Sequence, residues 1–427
     1  MRHASEDPDE AAPQKRPLAE NVLSLAVVHA ANLLVPLLTL PYLVRILGPE
    51  LFGLIAFASA VVAYFMLVTD YAFDVTATQQ IAKSYSDPEK VAAIFAEVLA
   101  TKCILTLLGF ALLAYSIFLF PLLRQHWELY VATYTMAFGR CLLPSWFFYG
   151  TEDTRALALS SLLSKLIFAA GIFVFVTESA DFLLVPLFAA LGWLIAAVPA
   201  LAFASSRLKA KPLLPSVSGI KRQLLNGWHV FFSSVSVSVY TTTLVVVLGA
   251  VAGNEAVGYF TSVERIITAA KSVSLPVTQA IFPSASEKFS KSKQQGMSFV
   301  WRMAKSLCLV MLLVSIVLFA FAEPIVLLVL GPEFQSSVLL LQIMAFVPFV
   351  VSISNMLGVQ TMLNLNYRRE FGAILLAGAV LGIFGSLVFS PIYGEVAAAS
   401  VSLVVETLVT LFMGAFLLFK VKGGIAR

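Results

Sequence analysis

The chain is 427 residues long, 59% hydrophobic and only 12% charged, with a formal net charge of +4. That balance excludes a soluble globular chain and marks an integral membrane protein, with nothing that points to a nucleic-acid partner. Crossing a ~30 Å hydrocarbon core takes about 20 apolar residues as a helix, and the apolar runs have that length, not the ~10-residue alternation of a barrel. The fold class is therefore all-α, because lipid offers no partner to unpaired backbone groups.

Residues 1-20 are polar and acidic (Glu6, Asp7, Asp9, Glu10), with no apolar stretch behind a basic start. They read as a disordered cytoplasmic tail, not a signal peptide. Cutting the remainder at charged or Gly/Pro breaks gives about twelve transmembrane spans, near 20-46, 52-82, 93-121, 128-149, 156-177, 182-206, 226-251, 256-283, 299-322, 337-361, 371-390 and 395-419. An even number puts both termini on one side. The longest connection, RLKAKPLLPSVSGIKR over Arg207 to Arg222, carries five basic residues and two prolines. The expected organisation is an N-terminal six-helix bundle (21-206), a basic cytoplasmic linker (207-225), a C-terminal six-helix bundle (226-419) and a short tail (420-427).

Orientation follows from where Lys and Arg fall, because cytoplasmic loops retain them. With both termini inside, the cytoplasmic segments and their borders collect most of the 28 basic residues, leaving Arg45 and Arg124 on the outer borders. A repeat supports the division into halves. Gly48-Pro49-Glu50-Leu51-Phe52-Gly53 follows the first span, and Gly253-Asn254-Glu255-Ala256-Val257-Gly258 follows the seventh. The two halves thus begin on the same side and form a parallel repeat about an axis along the membrane normal.

Ionisable residues inside spans cost about 2.5 to 3.5 kcal/mol each at mid-helix, so they mark internal pairing or a transport route. The first half has Asp70, Asp74, Lys102, Arg140 and Lys165; the second has Glu264, Arg265, Lys271 and Glu406. Asp70 and Asp74 are four apart, so they share one helical face, with Thr78 continuing it toward the inside. A structural salt-bridge network and a functional cluster, with the acids as cation or proton coupling sites and the bases facing an anion, both fit. Glu264, Thr268 and Lys271 share a face as a local pairing set or as a cavity wall, and the partner of Glu406 must come from another span. His29, Asn32 and Pro36, and the run Tyr240-Thr241-Thr242-Thr243, give polar stripes on the first helix of each half, read chiefly as packing features. Pro276, Pro283 and Pro348 can bend helices.

No Walker loop, HExxH or GxSxG occurs, the four histidines lack ligand spacing, and no metal or cofactor is expected. Cys103, Cys141 and Cys308 lie inside spans as packing residues. No outer connection exceeds about fifteen residues, which weighs against a membrane-embedded transferase or polymerase.

Several stretches carry a family resemblance: LPYLVRILGPELFG (Leu40 to Gly53), LPSWFFYGTEDTRALAL (Leu143 to Leu159), NEAVGYFTSVERI, PVTQAIFPSASEKF (Pro276 to Phe289) and GPEFQSSVLLLQI (Gly331 to Ile343). In this order they resemble the polysaccharide transporter family, the bacterial O-antigen and exopolysaccharide flippases, within the larger group that holds multidrug and toxin extruders and lipid II flippases. The resemblance implies a V of two six-helix bundles around a cavity open alternately to either side. It also implies a location in the bacterial inner membrane. The implied cargo is a sugar oligomer on undecaprenyl diphosphate, moved to the periplasmic leaflet without enzymatic chemistry, with membrane lipids and other assembly proteins as partners. Arg140, Lys165, Arg265 and Lys271 are then the candidate cavity bases and Arg45 a candidate guard of the outer mouth, with Asp70, Asp74, Glu264 and Glu406 as candidate coupling sites. A cation-coupled exporter of small molecules on the same scaffold is the nearest alternative, followed by a membrane glycan polymerase or ligase.

Overall fold

The computed structural model describes residues 18–208 and 214–425, with the side chains of 18–29, 233–241 and 421–425 outside the description. The expected N-terminal tail up to residue 17, Lys209 and Lys211 of the linker, the side chains of His29, Tyr240 and Thr241, and most of the C-terminal tail therefore lie outside the described residues.

All regular elements among the described residues are helical. Before the linker lie α1 (Leu18–Asp70), α2 (Phe73–Lys83), α3 (Pro88–Leu119), α4 (Pro121–Arg124), α5 (Trp127–Leu142), α6 (Ser145–Gly150), α7 (Arg155–Phe175) and α8 (Leu184–Arg207). After the linker come α9 (Val217–Ser272), α10 (Leu275–Lys291), α11 (Lys293–Ala320), α12 (Ala322–Val329), α13 (Ser337–Met344), α14 (Val347–Leu357) and α15 (Arg368–Ile425). Eight stretches among the described residues are long and apolar enough to cross a membrane. Two of them, Ala30–Lys83 and Arg368–Lys420, run to 54 and 53 residues, far more than one ~30 Å crossing needs. Each of the three longest helices is two helices meeting at a kink on a glycine with positive φ: Gly48 (67°), Gly253 (89°) and Gly394 (55°). A residue with a Cβ is strained in that region, so glycine marks these three points. They fall at the expected span boundaries near 46-52, 251-256 and 390-395.

The repeated motifs do the same thing in both halves. A Cβ on Gly53 would collide with the Asn254 carbonyl, and a Cβ on Gly258 would collide with the Pro49 carbonyl. The second arms of α1 and α9 therefore cross backbone on backbone, each supplying its sixth motif residue to the partner's second. In lipid, where helices gain little from hiding apolar surface from one another, small residues that admit such close approach are what make a crossing tight. Around it Leu40, Val44, Phe52, Val62, Leu248, Val257, Phe260 and Ile267 are almost fully buried in the largest apolar cluster.

Four expected spans are interrupted. The helix expected over 52-82 stops at Asp70 and restarts at Phe73, through Tyr71 (φ 40°) and Ala72 (φ 59°). Asp70 and Asp74 thus do not sit on one continuous helical face, contrary to the sequence reading: Asp70 ends α1, and Asp74 occupies the first turn of α2, where the positive end of the helix dipole favours a carboxylate. Non-glycine residues at positive φ cost about 1 to 3 kcal/mol each and persist only where surrounding packing fixes them. Here the Tyr71 ring stacks on Phe231 at 4.6 Å, and its hydroxyl donates to the Leu224 carbonyl at 3.0 Å. The other breaks fall at Leu143-Pro144, at Val273-Ser274 just before Pro276, and at Ala345-Phe346 just before Pro348.

The two halves touch at both ends, by different means. The Gly48 end has the glycine crossing and Arg45, which donates to the Leu328 carbonyl in the last turn of α12. At the linker end the start of α9 reaches under the first bundle. Arg222 donates to both oxygens of the buried Glu97 carboxylate on α3 at 2.8 and 3.0 Å, Gln223 donates to Glu97 at 3.0 Å, and Gln80 and Gln223 exchange amide bonds at 2.9 and 3.1 Å.

Candidate transport site

The first polar pocket forms where the breaks after Asp70 and Leu142 lie side by side. It holds about 170 Å³ and is lined among others by Asn32, Asp70, Asp74, Lys102, Arg140, Ser145, Tyr149 and Trp193. Its chemistry starts from Pro144. In a continuous helix the Arg140 carbonyl would accept from the backbone N–H of residue 144, and proline has none. Lys102, buried on α3, supplies the missing donor: its ammonium donates to the Arg140 carbonyl at 3.0 Å and lies 3.6 Å from Asp70. The Arg140 guanidinium donates to the other Asp70 oxygen at 2.8 Å. Across the pocket, the Ser145 hydroxyl donates to Asp74 at 2.5 Å. Two carboxylates face two cations, and the charges balance.

Lys165 on α7 lies beside this pocket, not in it. Its ammonium sits over the Trp193 ring, 5.8 Å from the centroid, within electrostatic reach of both Arg140 and Arg265. Arg265, exposed on the second arm of α9, sits over the Phe52 ring at 5.1 Å. Phe52 belongs to the first repeat motif, so this contact joins the two halves next to the glycine crossing. Arg140, Lys165 and Arg265 thus come together from both halves onto one shared region.

The second polar pocket, about 100 Å³, brings together Glu264 and Lys271 of α9 with Ser402 and Glu406 of α15. Glu406 thus lines one pocket with residues of another helix, α9. Arg45 joins neither pocket. Its bond to Leu328 places a cation on the negative end of α12, beside Gly331, the left-handed residue that ends the helix.

Several of these features are not legible in the sequence. Glu97 and its partners were hidden because Arg222 reads as one more linker base, and Gln80 and Gln223 carry no charge to attract notice. Pro144 was the available signal for the break that captures Lys102, whereas nothing in Asp70-Tyr71-Ala72 announces a break. The Cys103 and Cys141 sulfurs lie 3.6 Å apart across α3 and α5, a pairing that their spacing does not suggest; both are free thiols. Among the described residues no group of three or more His, Cys, Asp or Glu is placed to hold a metal.

Comparison with known proteins gives this arrangement its context. Residues 18–289 match the family model described as polysaccharide biosynthesis protein. A curated protein of Escherichia coli (strain K12) named "Putative O-antigen transporter" is 34% identical over 399 residues, covering 93% of this chain and 96% of that one. Among solved structures, an inward-facing multidrug resistance MATE family transporter of the MOP superfamily superposes with a TM-score of 0.71 over 94% of this chain and 98% of that chain, at 13% identity. The lipid II flippase MurJ in an inward closed conformation superposes at 0.68 over 95% of this chain and 87% of that chain, also at 13% identity. The chain is thus a multi-pass membrane transporter, not an enzyme, and belongs to the polysaccharide biosynthesis protein family, with a fold shared with the two solved transporters above.

Proposed function

We propose that this protein flips an undecaprenyl-diphosphate-linked oligosaccharide across the bacterial inner membrane, from the cytoplasmic to the periplasmic leaflet, by alternating access between two six-helix bundles (21-206 and 226-419). The observation that carries the reading is the convergence of Lys165 and Arg265, with Arg140 behind them, from both halves of a transporter fold. A diphosphate cannot cross hydrocarbon bare. Cations held in a polar cleft supply its countercharge while the polyprenyl tail stays in lipid. The name of the Escherichia coli relative and the likeness in shape to a lipid II flippase support the same cargo class.

The basic linker and both termini are assigned to the cytoplasm on the distribution of Lys and Arg. The Gly48 end is then periplasmic, and its crossing must part for release. Arg45 acts as a strap on that side, and Lys271 as the counter-ion of Glu264 and Glu406 in the second pocket, where protonation or a bound cation would couple the cycle. Asp70 and Asp74 are engaged with Arg140, Lys102 and Ser145, and serve to set the first pocket.

The test is deletion of the gene, followed by analysis of lipid-linked intermediates. The expected result is a lipid-diphosphate glycan that accumulates on the cytoplasmic leaflet and is cleared on complementation; normal surface glycan without accumulation would overturn the reading. Accumulation of single glycan units already outside would point instead to a polymerase or ligase.

A further inference from the structure

We infer that the first pocket is a carbohydrate subsite, in which Trp193 and Tyr149 form the platform for one sugar ring of the cargo, while the diphosphate is held outside it by Lys165 and Arg265. This rests on the flippase reading and divides the cargo between two places.

The division follows from charge. Asp70 and Asp74 face Lys102 and Arg140 in the same pocket, so it offers an anion no net attraction. Lys102 is committed to a backbone carbonyl, and Arg140 to Asp70. A diphosphate entering there would have to displace a formed ion pair. Neutral hydroxyls make no such demand, because carboxylate oxygens and guanidinium N–H groups that are bonded on one side still accept and donate on the other.

The walls suit a sugar as well. A pyranose has an apolar face of C–H bonds polarised by neighbouring oxygens, and the negative face of an aromatic ring attracts that edge as it attracts a cation. Trp193 lines the pocket and holds the Lys165 ammonium over one face of its ring. Tyr149 is 38% exposed and Asn32 is exposed on the same pocket, adding a hydroxyl and an amide to the ring face. The volume of about 170 Å³ equals roughly six waters at ~30 Å³ each, the scale of one ring and not of a polyprenyl chain. Lys165, touching Trp193 and facing Arg265, marks the border between the two subsites.

The experiment measures equilibrium binding to the purified full-length protein of two probes, undecaprenyl diphosphate and undecaprenyl diphosphate carrying one N-acetylhexosamine. Trp193→Ala is expected to weaken the glycosylated probe at least tenfold and to leave the bare lipid diphosphate within twofold, a control that also reports folding. Trp193→Phe should restore most of the loss. Tyr149→Ala, on the more exposed wall, should show the same selectivity more weakly. Equal weakening of both probes by Trp193→Ala and Tyr149→Ala, or unchanged binding of the glycosylated one, overturns the subsite. If the wild type binds neither probe, the flippase reading itself fails and the subsite with it.

Discussion

The two polar pockets draw on the same kinds of residue and reach different states. In the first, two carboxylates meet two cations, and both bases are fixed by direct bonds around the breaks at Asp70 and Pro144. In the second, Glu264 and Glu406 line one pocket with Lys271, and both Lys271 and Arg265 lie within electrostatic reach of Glu264. The first is held in shape by these bonds; the second is the place we propose for a change of charge during the cycle. An inventory of intramembrane charges does not separate these cases, because a base is available to cargo only if backbone and neighbouring acids leave it free.

The sharpest way to break the contrast is Lys102→Met. It strips a donor from the Arg140 carbonyl and a cation from Asp70 in a buried setting, and should cost about 3 kcal/mol, read as a large drop in thermal stability of the purified protein. Lys271→Met, by comparison, should lower stability by only about 1 kcal/mol, because Lys271 is half-buried; its main effect should be a changed pH or cation dependence of transport. Equal destabilisation by the two would erase the distinction.

Gly258→Val tests the frame that holds the two pockets together. Its side chain would meet the Pro49 carbonyl, and overpacking of this kind costs about 2 kcal/mol. The expected outcome is reduced cross-linking between cysteines introduced at the Gly48 end, together with impaired transport. Arg45→Leu is the mildest change. Removing an exposed cation from a helix C-terminus should cost about 0.5 kcal/mol, with protein levels unchanged and transport reduced by less than half. Abolished transport would restore Arg45 as a guard of the mouth.

Much of this was legible in the residues. Composition decided the class, the run lengths decided helices, and the G-x-E-x-x-G repeat pointed to two halves because both copies need a positive-φ glycine followed by a second glycine at a backbone crossing. The breaks were less legible. A hydropathy pattern sees Asp70 to Lys83 as the continuation of one span, and the positive φ of Tyr71 and Ala72 is imposed by packing against Phe231 and Leu224, more than 150 residues away in sequence. For the same reason Lys102 reads as a free cavity base until Pro144 is seen to leave a carbonyl for it. Trp193 and Tyr149 carry no charge and sit in apolar runs, so only the fold brings them to the pocket.

The central claim is that Lys165 and Arg265 provide the countercharge for a lipid diphosphate. Its most direct test is flipping of an undecaprenyl-diphosphate-linked glycan in proteoliposomes by wild type and by Lys165→Ala/Arg265→Ala, with Arg45→Leu as a folded control. The account predicts that the double variant inserts normally and loses at least tenfold in rate, while Arg45→Leu stays within twofold of wild type. Wild-type flipping by the double variant would contradict it.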